Sequence, residues 1–357
     1  MFFALASALL FACSENDDPS PVANDNPENG SVIFQISAVN ELNAGVHTKG
    51  NLYSQEAVQH VTRVSIYAFK NNSTDYVYAK TYDIPDWTDG TTFKRYVIDK
   101  SNPLDAGDYK FLAVGRDATD KYIVIDPGTT HTYESMIAQV AKNGDEEELF
   151  AGSGQATVTA NGVRVSIEMT RKVAGVLGYF VNIPQTIDGK TVRYLWLKVS
   201  NANQTVNLTT GSGVNTAETP FNILNIDLST QTVDNGIYTG NDLSGQGVVK
   251  IVNSQLNGAY FMPVSGVTLT LGLYAADSTA LKTWNVQDSN GGTTNFNLLA
   301  NHFYSLGIKA VAGSTTGGTP DPGDDDAPVD LMTDQNIVVS ISPAWELIHN
   351  LVILPQP

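Results

Sequence analysis

From Ser31 onward, short runs of alternating apolar and polar residues are separated by turn-forming residues, the period-two pattern of half-buried strands. Such runs cover residues 32–36, 61–69, 76–82, 93–98, 109–114, 122–125 and 163–169. Asp89-Gly90, Asp105-Ala106-Gly107-Asp108, Asp126-Pro127-Gly128 and Asn161-Gly162 punctuate them, supplying residues that tolerate positive φ or fix it at about −65°. Residues 132–142 break the alternation. Tyr133, Met136, Ile137, Val140 and Ala141 recur at helical spacing and predict a short helix lying on the first sheet pair. The acidic residues 145–148 behind it read as a solvated loop, and Gly152-Ser153-Gly154 as a turn.

A second series of runs covers 173–183, 193–199, 205–208, 221–228, 259–262, 267–274, 281–286 and 303–311. Long connections rich in Gly, Thr and Asn join them at 209–219 and 230–247, where sandwiches usually carry variable function. The pattern predicts an all-β protein with two tandem β-sandwich domains, 31–170 and 171–312, meeting near Arg171.

Composition changes sharply on both sides of this folded part. Residues 1–12, MFFALASALLFA, form an apolar run too short to span a bilayer and right for the core of a secretory signal. The run stops at Cys13, the one cysteine of the chain, with Ala12 before it and Leu10 three places upstream. This resembles a bacterial lipobox, which implies acylation of Cys13. No Lys or Arg precedes the run, so a few residues are expected to be missing from its start. Residues 13–30 then read as an acidic tether without an apolar core. Its opening, Cys13-Ser14-Glu15-Asn16-Asp17-Asp18, resembles the export signal of surface lipoproteins in Bacteroidetes.

At the other end, 313–326 reads GSTTGGTPDPGDDD, which predicts a flexible linker over 313–333. Beyond it, 334–357 becomes apolar and strand-like again. Ile337, Val339 and Ile341 share one face by alternation, and Trp345 follows on the same side. Unpaired strands with this much apolar surface must dock or aggregate. One docking site is the chain's own sandwich. The other is a neighbouring subunit, through addition of a strand to an open sheet edge. The second reading makes Ile337, Val339, Ile341 and Trp345 the strand-donating residues, contributing to neither sandwich core.

The order of these features resembles the Bacteroidetes fimbrillin families, the subunits of type V pili with their anchor and accessory proteins. The resemblance rests on Cys13, on residues 32–36, and on Thr48-Lys49-Gly50. It continues through Leu104-Asp105-Ala106-Gly107-Asp108-Tyr109, Arg171-Lys172-Val173-Ala174, Gly258-Ala259-Tyr260-Phe261-Met262-Pro263 and Leu299-Ala300-Asn301-His302-Phe303-Tyr304. It implies two transthyretin-like Greek-key sandwiches whose first strand is released by proteolysis, leaving a groove for a neighbour's terminal strand. Lys49 is then the candidate cleavage site, where the family's stalk subunits typically carry arginine. Anchor subunits of the family stay uncleaved and keep their lipid. The resemblance therefore implies a fimbrial structural subunit of anchor or accessory type, held in the outer membrane at the cell surface through a lipid such as palmitate. Its implied partners are other fimbrial subunits, through β-strand exchange, and host proteins or glycans through adhesion.

The remaining chemistry narrows the function class. With 37 acidic and 20 basic residues the formal charge is −17, which repels nucleic acid. His47, His60, His131, His302 and His349 lack metal-ligand spacing. There is no G-x-S-x-G elbow, P-loop or dinucleotide fingerprint, and the reading is of a protein that is not an enzyme and takes no cofactor. The alternative is a surface lipoprotein that binds glycan without polymerising, using Trp87, Trp196, Trp284, Tyr76, Tyr78 and Tyr82 as a stacking platform.

Overall fold

A computed structural model describes residues 31–38, 61–88, 91, 93–117, 122–124, 132–140, 146–217, 221–240, 253–288, 293–307, 328–333 and 337–342. The first half contributes β1 (Val32–Ala38), β2 (Arg63–Asn71), β3 (Tyr76–Ile84), β4 (Phe93–Val97), β5 (Gly107–Arg116), β6 (Tyr122–Val124), β7 (Ile137–Val140), β8 (Leu149–Val158) and β9 (Val163–Arg171). The second begins with β10 (Ala174–Val181), β11 (Thr186–Ile187), β12 (Lys190–Thr191), β13 (Tyr194–Val199), β14 (Ala202–Asn207), β15 (Gly213–Ala217), β16 (Phe221–Asp227), β17 (Val233–Asp234) and β18 (Ile237–Tyr238). It continues with β19 (Ser254–Phe261), β20 (Val264–Val267), β21 (Leu269–Tyr274), β22 (Ala280–Asp288), β23 (Phe296–Leu298), β24 (Phe303–Leu306), β25 (Val329–Asp330) and β26 (Ile337–Ser342). The fold is all-β.

Strands of the first half run in the order β3-β2-β5-β8-β9-β1-β4. The path folds on itself, so that Val32, Phe34 and Ile36 of β1 and Val165, Ile167 and Met169 of β9 pack against Val64, Ile66 and Ala68 of β2 and Phe111 and Ala113 of β5. The order in the second half is β16-β13-β21-β22-β26-β24-β10-β19. Its core joins Leu195, Leu197, Leu271, Leu273, Trp284 and Val286 to Val176, Phe180, Phe261, Tyr304 and Leu306. Each half is a sandwich whose inward positions alternate with outward ones.

Matching the two orders strand by strand pairs β3 with β16, β2 with β13, β5 with β21, β8 with β22, β9 with β24, β1 with β10 and β4 with β19. The pairing directions agree throughout. In both halves the opening strand lies parallel to a late one, β1 with β9 and β10 with β24, and antiparallel to β4 or β19. Two strands have no counterpart: β26, inserted between β22 and β24, and the two-residue β25, which pairs with β10 off this path.

A third apolar cluster joins the halves. Tyr67, Phe69, Leu112, Val114, Leu149 and Ala151 cover the outer face of β2, β5 and β8, and Val173, Val206, Leu208 and Met262 come from the second half. This gives β2 its unbroken buried run, since both faces are covered.

Several expectations need correction. Residues 132–142 do not form a helix: Tyr133–Ser135 make one 3-10 turn and Ile137–Val140 form β7. β7 pairs with β14 of the second half and with β6. Met136 and Ala138 enter the third cluster, so period two wins once β14 offers an edge. Gly152-Ser153-Gly154 is not a turn but the middle of β8. A Cβ on Gly152 would lie 2.0 Å from the carbonyl oxygen of Glu168, and one on Gly154 would lie 2.7 Å from Val165. These glycines let β8 pass close against β9. The acidic stretch is not wholly solvated either, because Glu148 is buried against Arg171. Finally, the expected linker 313–333 ends in ordered structure. Val329 and Asp330 continue alongside β10 where β24 leaves it, and Leu331 is buried in the second core.

Candidate functional site

Two strand positions, β1 and β26, have surroundings of the same kind. β1 pairs parallel with β9 from Val32↔Val163 to Ala38↔Met169, and antiparallel with β4 from Ile33↔Val97 to Ser37↔Phe93. Val32, Phe34, Ile36 and Ala38 are its core-facing residues, and the Phe34 ring meets Phe111 edge-on at 4.9 Å. Beyond it β4 ends the sheet path, with Phe93 43% and Val97 39% exposed. Lifting β1 out would open a mixed slot with a parallel wall, β9, and an antiparallel wall, β4.

β26 occupies a position of the same kind. It pairs parallel with β22 through Val286↔Ile337, Gln287↔Val338 and Asp288↔Val339. It pairs antiparallel with β24 from Leu306↔Val339 to Phe303↔Ser342. Ile337 is fully buried among the second core. The expectation that the terminal arm contributes to neither core is therefore corrected: its first strand is interior to its own sheet. The physical reason is the seam between β22 and β24, whose ladder groups on that side find partners in β26.

The two strands also match in sequence. Residues 32–37 read Val-Ile-Phe-Gln-Ile-Ser, and 337–342 read Ile-Val-Val-Ser-Ile-Ser. Aliphatic or aromatic residues fill the first three places, a polar residue the fourth, and Ile-Ser the last two. Direct comparison of the chain's first strand with its last was the signal that could have revealed this.

Burial raises the Tyr304 hydroxyl to about 12, partly offset by the backbone N–H of Leu299 donating to it at 2.9 Å. The same hydroxyl donates to the Asn297 carbonyl at 3.2 Å. On the β25 side, burial opposes ionisation of Asp330. Hydrogen bonds from Asn182 Nδ2 at 2.9 Å and from the Met332 and Thr333 backbone outweigh it and hold the carboxyl below its usual range. The Leu331 N–H donates to Val181 at 3.2 Å and fixes the segment to β10.

Between the halves, Arg171 Nε donates to Glu148 Oε1 at 2.6 Å, and the guanidinium lies over the Phe150 ring at 4.9 Å. Glu146 lies nearby in sequence, and burial raises its carboxyl well above the usual range. Its Oε2 has no hydrogen-bond partner among the described residues.

Other named residues fall differently. Cys13, Lys49 and Trp345 lie outside the described residues, whereas Ile337, Val339 and Ile341 all lie in β26. The aromatic residues suggested as a glycan platform do not come together. Trp87 and Tyr82 are in the first core and Trp284 in the second, while Tyr76 and Tyr78 pack on the third cluster. Trp196 stacks on Tyr194 at 4.9 Å and leans on Tyr274 at 4.5 Å, with Lys198 Nζ over its ring at 4.7 Å.

A family model described as fimbrillin-A associated anchor proteins Mfa1 and Mfa2 matches residues 27–350. The chain belongs to that family and is a fimbrial-type subunit. No curated protein matches it. Among solved structures it is similar to the fimbrial anchor protein Mfa2 from Porphyromonas gingivalis, at 13% identity and a TM-score of 0.41, covering 82% of this chain and 94% of that one. It is also similar to the tip fimbrial protein Mfa3 of the same organism with a C-terminal truncation, at 11% identity and a TM-score of 0.40, covering 79% and 96%.

Proposed function

We propose that this chain is a non-enzymatic structural subunit of a cell-surface fimbria that joins its neighbour by strand exchange. β26 is the donated strand, and the slot between β9 and β4 is the acceptor once β1 has left. The observation that carries this reading is the match between β1 and β26, in sequence and in having one parallel and one antiparallel neighbour. A strand that satisfies one mixed slot with this pattern presents the apolar and polar positions that the other requires.

Acylation at Cys13 holds the chain to the outer membrane, and the acidic tether after it sets the folded part off the surface. Two fates follow. A chain that keeps β1 and its lipid ends the fibre as an anchor, while cleavage after Lys49 frees β1 and makes a polymerising subunit. We assign the anchor or accessory role, because a lysine at this place is a poor substrate for an arginine-directed protease.

A cysteine pair tests the exchange. If β26 takes the register of β1, residue 341 replaces Ile36 opposite Lys94. Cells carrying Lys49→Arg with Lys94→Cys on one tagged copy, so that its β1 can be released, and Ile341→Cys on a differently tagged copy should yield surface subunits linked by a disulfide between the two tags. Absence of such a link in oxidised fimbriae that contain both copies overturns strand exchange.

A further inference from the structure

The outer face of β13 carries a stack of aromatic rings that no core uses. Tyr194, Trp196 and Lys198 alternate with the buried Leu195, Leu197 and Val199, so all three point away from the second core. Trp196 lies opposite Gly272 of β21 and Asn225 of β16. A Cβ on Gly272 would stand 2.7 Å from Cε2 of Tyr274, so the Tyr274 ring lies over bare backbone there. The Trp196 ring meets Tyr274 at 4.5 Å and Tyr194 at 4.9 Å. Tyr274 is buried in this stack, whereas Tyr194 and Trp196 are only half-buried. On β22, Thr283 and Asn285 are exposed between the buried Trp284 and Val286 and continue the same face.

Polar groups around the stack are left with donors to spare. An indole N–H only donates, so Asn225 Oδ1 accepts from Trp196 Nε1 at 2.6 Å and the Asn225 NH2 group keeps two N–H donors without a partner among the described residues. Lys198 Nζ sits over the Trp196 ring at 4.7 Å and the Tyr274 ring at 4.1 Å. Among the described residues no carboxylate pairs with it, and Asp227, the acid of this face, is taken by Arg193 Nε at 3.1 Å. In a chain of formal charge −17, a cation held on rings without a counter-ion is poised for an anion from outside. We propose that this face binds a glycan with a carboxylated sugar, its C–H surface against Tyr194 and Trp196, its carboxylate at Lys198 and its hydroxyls at Asn225 and Thr283. Three features select this occupant. A sugar ring combines an apolar C–H face with a rim of hydroxyls, which matches aromatic rings bordered by amides and hydroxyls. The unpaired charge of Lys198 calls for an acidic sugar, while the negative charge of the whole chain repels a polyanion such as nucleic acid. None of the outward residues named is aliphatic, so the face lacks the apolar centre on which a protein interface is built.

This inference stands apart from strand exchange, and either can fail alone. The full chain is titrated by calorimetry with sialyllactose and with cellobiouronic acid, and with lactose and cellobiose as their neutral counterparts. At least one of the two acids should bind saturably, about tenfold more tightly than its counterpart. Lys198→Met should erase that margin and leave binding of the neutral sugar as it was. Trp196→Ala should abolish binding of both, as loss of a central aromatic anchor does. Asn225→Asp retains an acceptor for the Trp196 N–H and adds a negative charge beside the ligand, so it should weaken the acid about tenfold at an unchanged melting temperature. That variant keeps the test decisive even if Trp196→Ala fails to fold. No saturable binding of either acid, equal binding of acid and neutral sugar, or an affinity untouched by Lys198→Met and Asn225→Asp would each overturn the site.

Discussion

Arg171 marks the passage between the sandwiches, and among the described residues it is the largest of the fully buried side chains. In the sequence it reads as a charged residue at a boundary, because a pattern of single residues does not show what covers them. The structure places it 2.6 Å from Glu148 and over Phe150. Arg171→Leu should cost about 3–5 kcal/mol, since it leaves a buried carboxylate without its partner. Adding Glu148→Leu should recover much of that loss in chemical denaturation. Glu146 behaves in the opposite sense. Burial raises its carboxyl above the unfolded value, so its contribution is present below that value and is lost as pH rises through the folded one. Glu146→Gln should therefore raise the melting temperature above the usual carboxylate range, by roughly 2–4 °C for each kcal/mol relieved, and flatten its decline as pH rises from that range. An unchanged pH profile would remove Glu146 from the account.

Elements were legible wherever one face met a core and the other met water, as in β9, whose buried and exposed positions alternate. β2 was read as an alternating strand, and only the structure shows that apolar clusters cover both of its faces. β8 and β7 were obscured by tertiary demands that outweigh local signals. Two glycines that look like a turn allow β8 to approach β9, and helical spacing at 133–141 gives way to the edge of β14. Gly152→Ala should therefore be severely destabilising, by about 3 kcal/mol or more, because a methyl group would meet backbone rather than a movable side chain. Thermal melting checks this, and a loss below about 1 kcal/mol would mean that β8 and β9 can move apart. The terminal arm was legible as a strand that must pair. Its location was not, since the seam that holds it exists only after β22 and β24 have formed. Ending the chain after Asn336 should lower the melting temperature by 10 °C or more and increase binding of an apolar dye at the opened seam.

At the scale of the whole molecule, two sandwiches of matching strand order leave β25 and β26 over, and β26 matches the sequence of β1. The proposed strand exchange would give β26 a use in a chain of the fimbrial anchor family. A chain that carries both a strand and a slot of the same pattern can join to its own kind without a separate adhesive surface. The central claim is that the slot of β1 accepts the sequence of β26. Four substitutions test it in a single chain: Val32→Ile, Ile33→Val, Phe34→Val and Gln35→Ser rewrite residues 32–37 as residues 337–342. The chief loss is the Phe34 ring against Phe111, a cavity cost of about 1–3 kcal/mol. The measurement is the melting curve of this variant beside the parent chain. A cooperative transition lowered by roughly 10 °C or less is the predicted result, whereas loss of the cooperative transition would contradict the account.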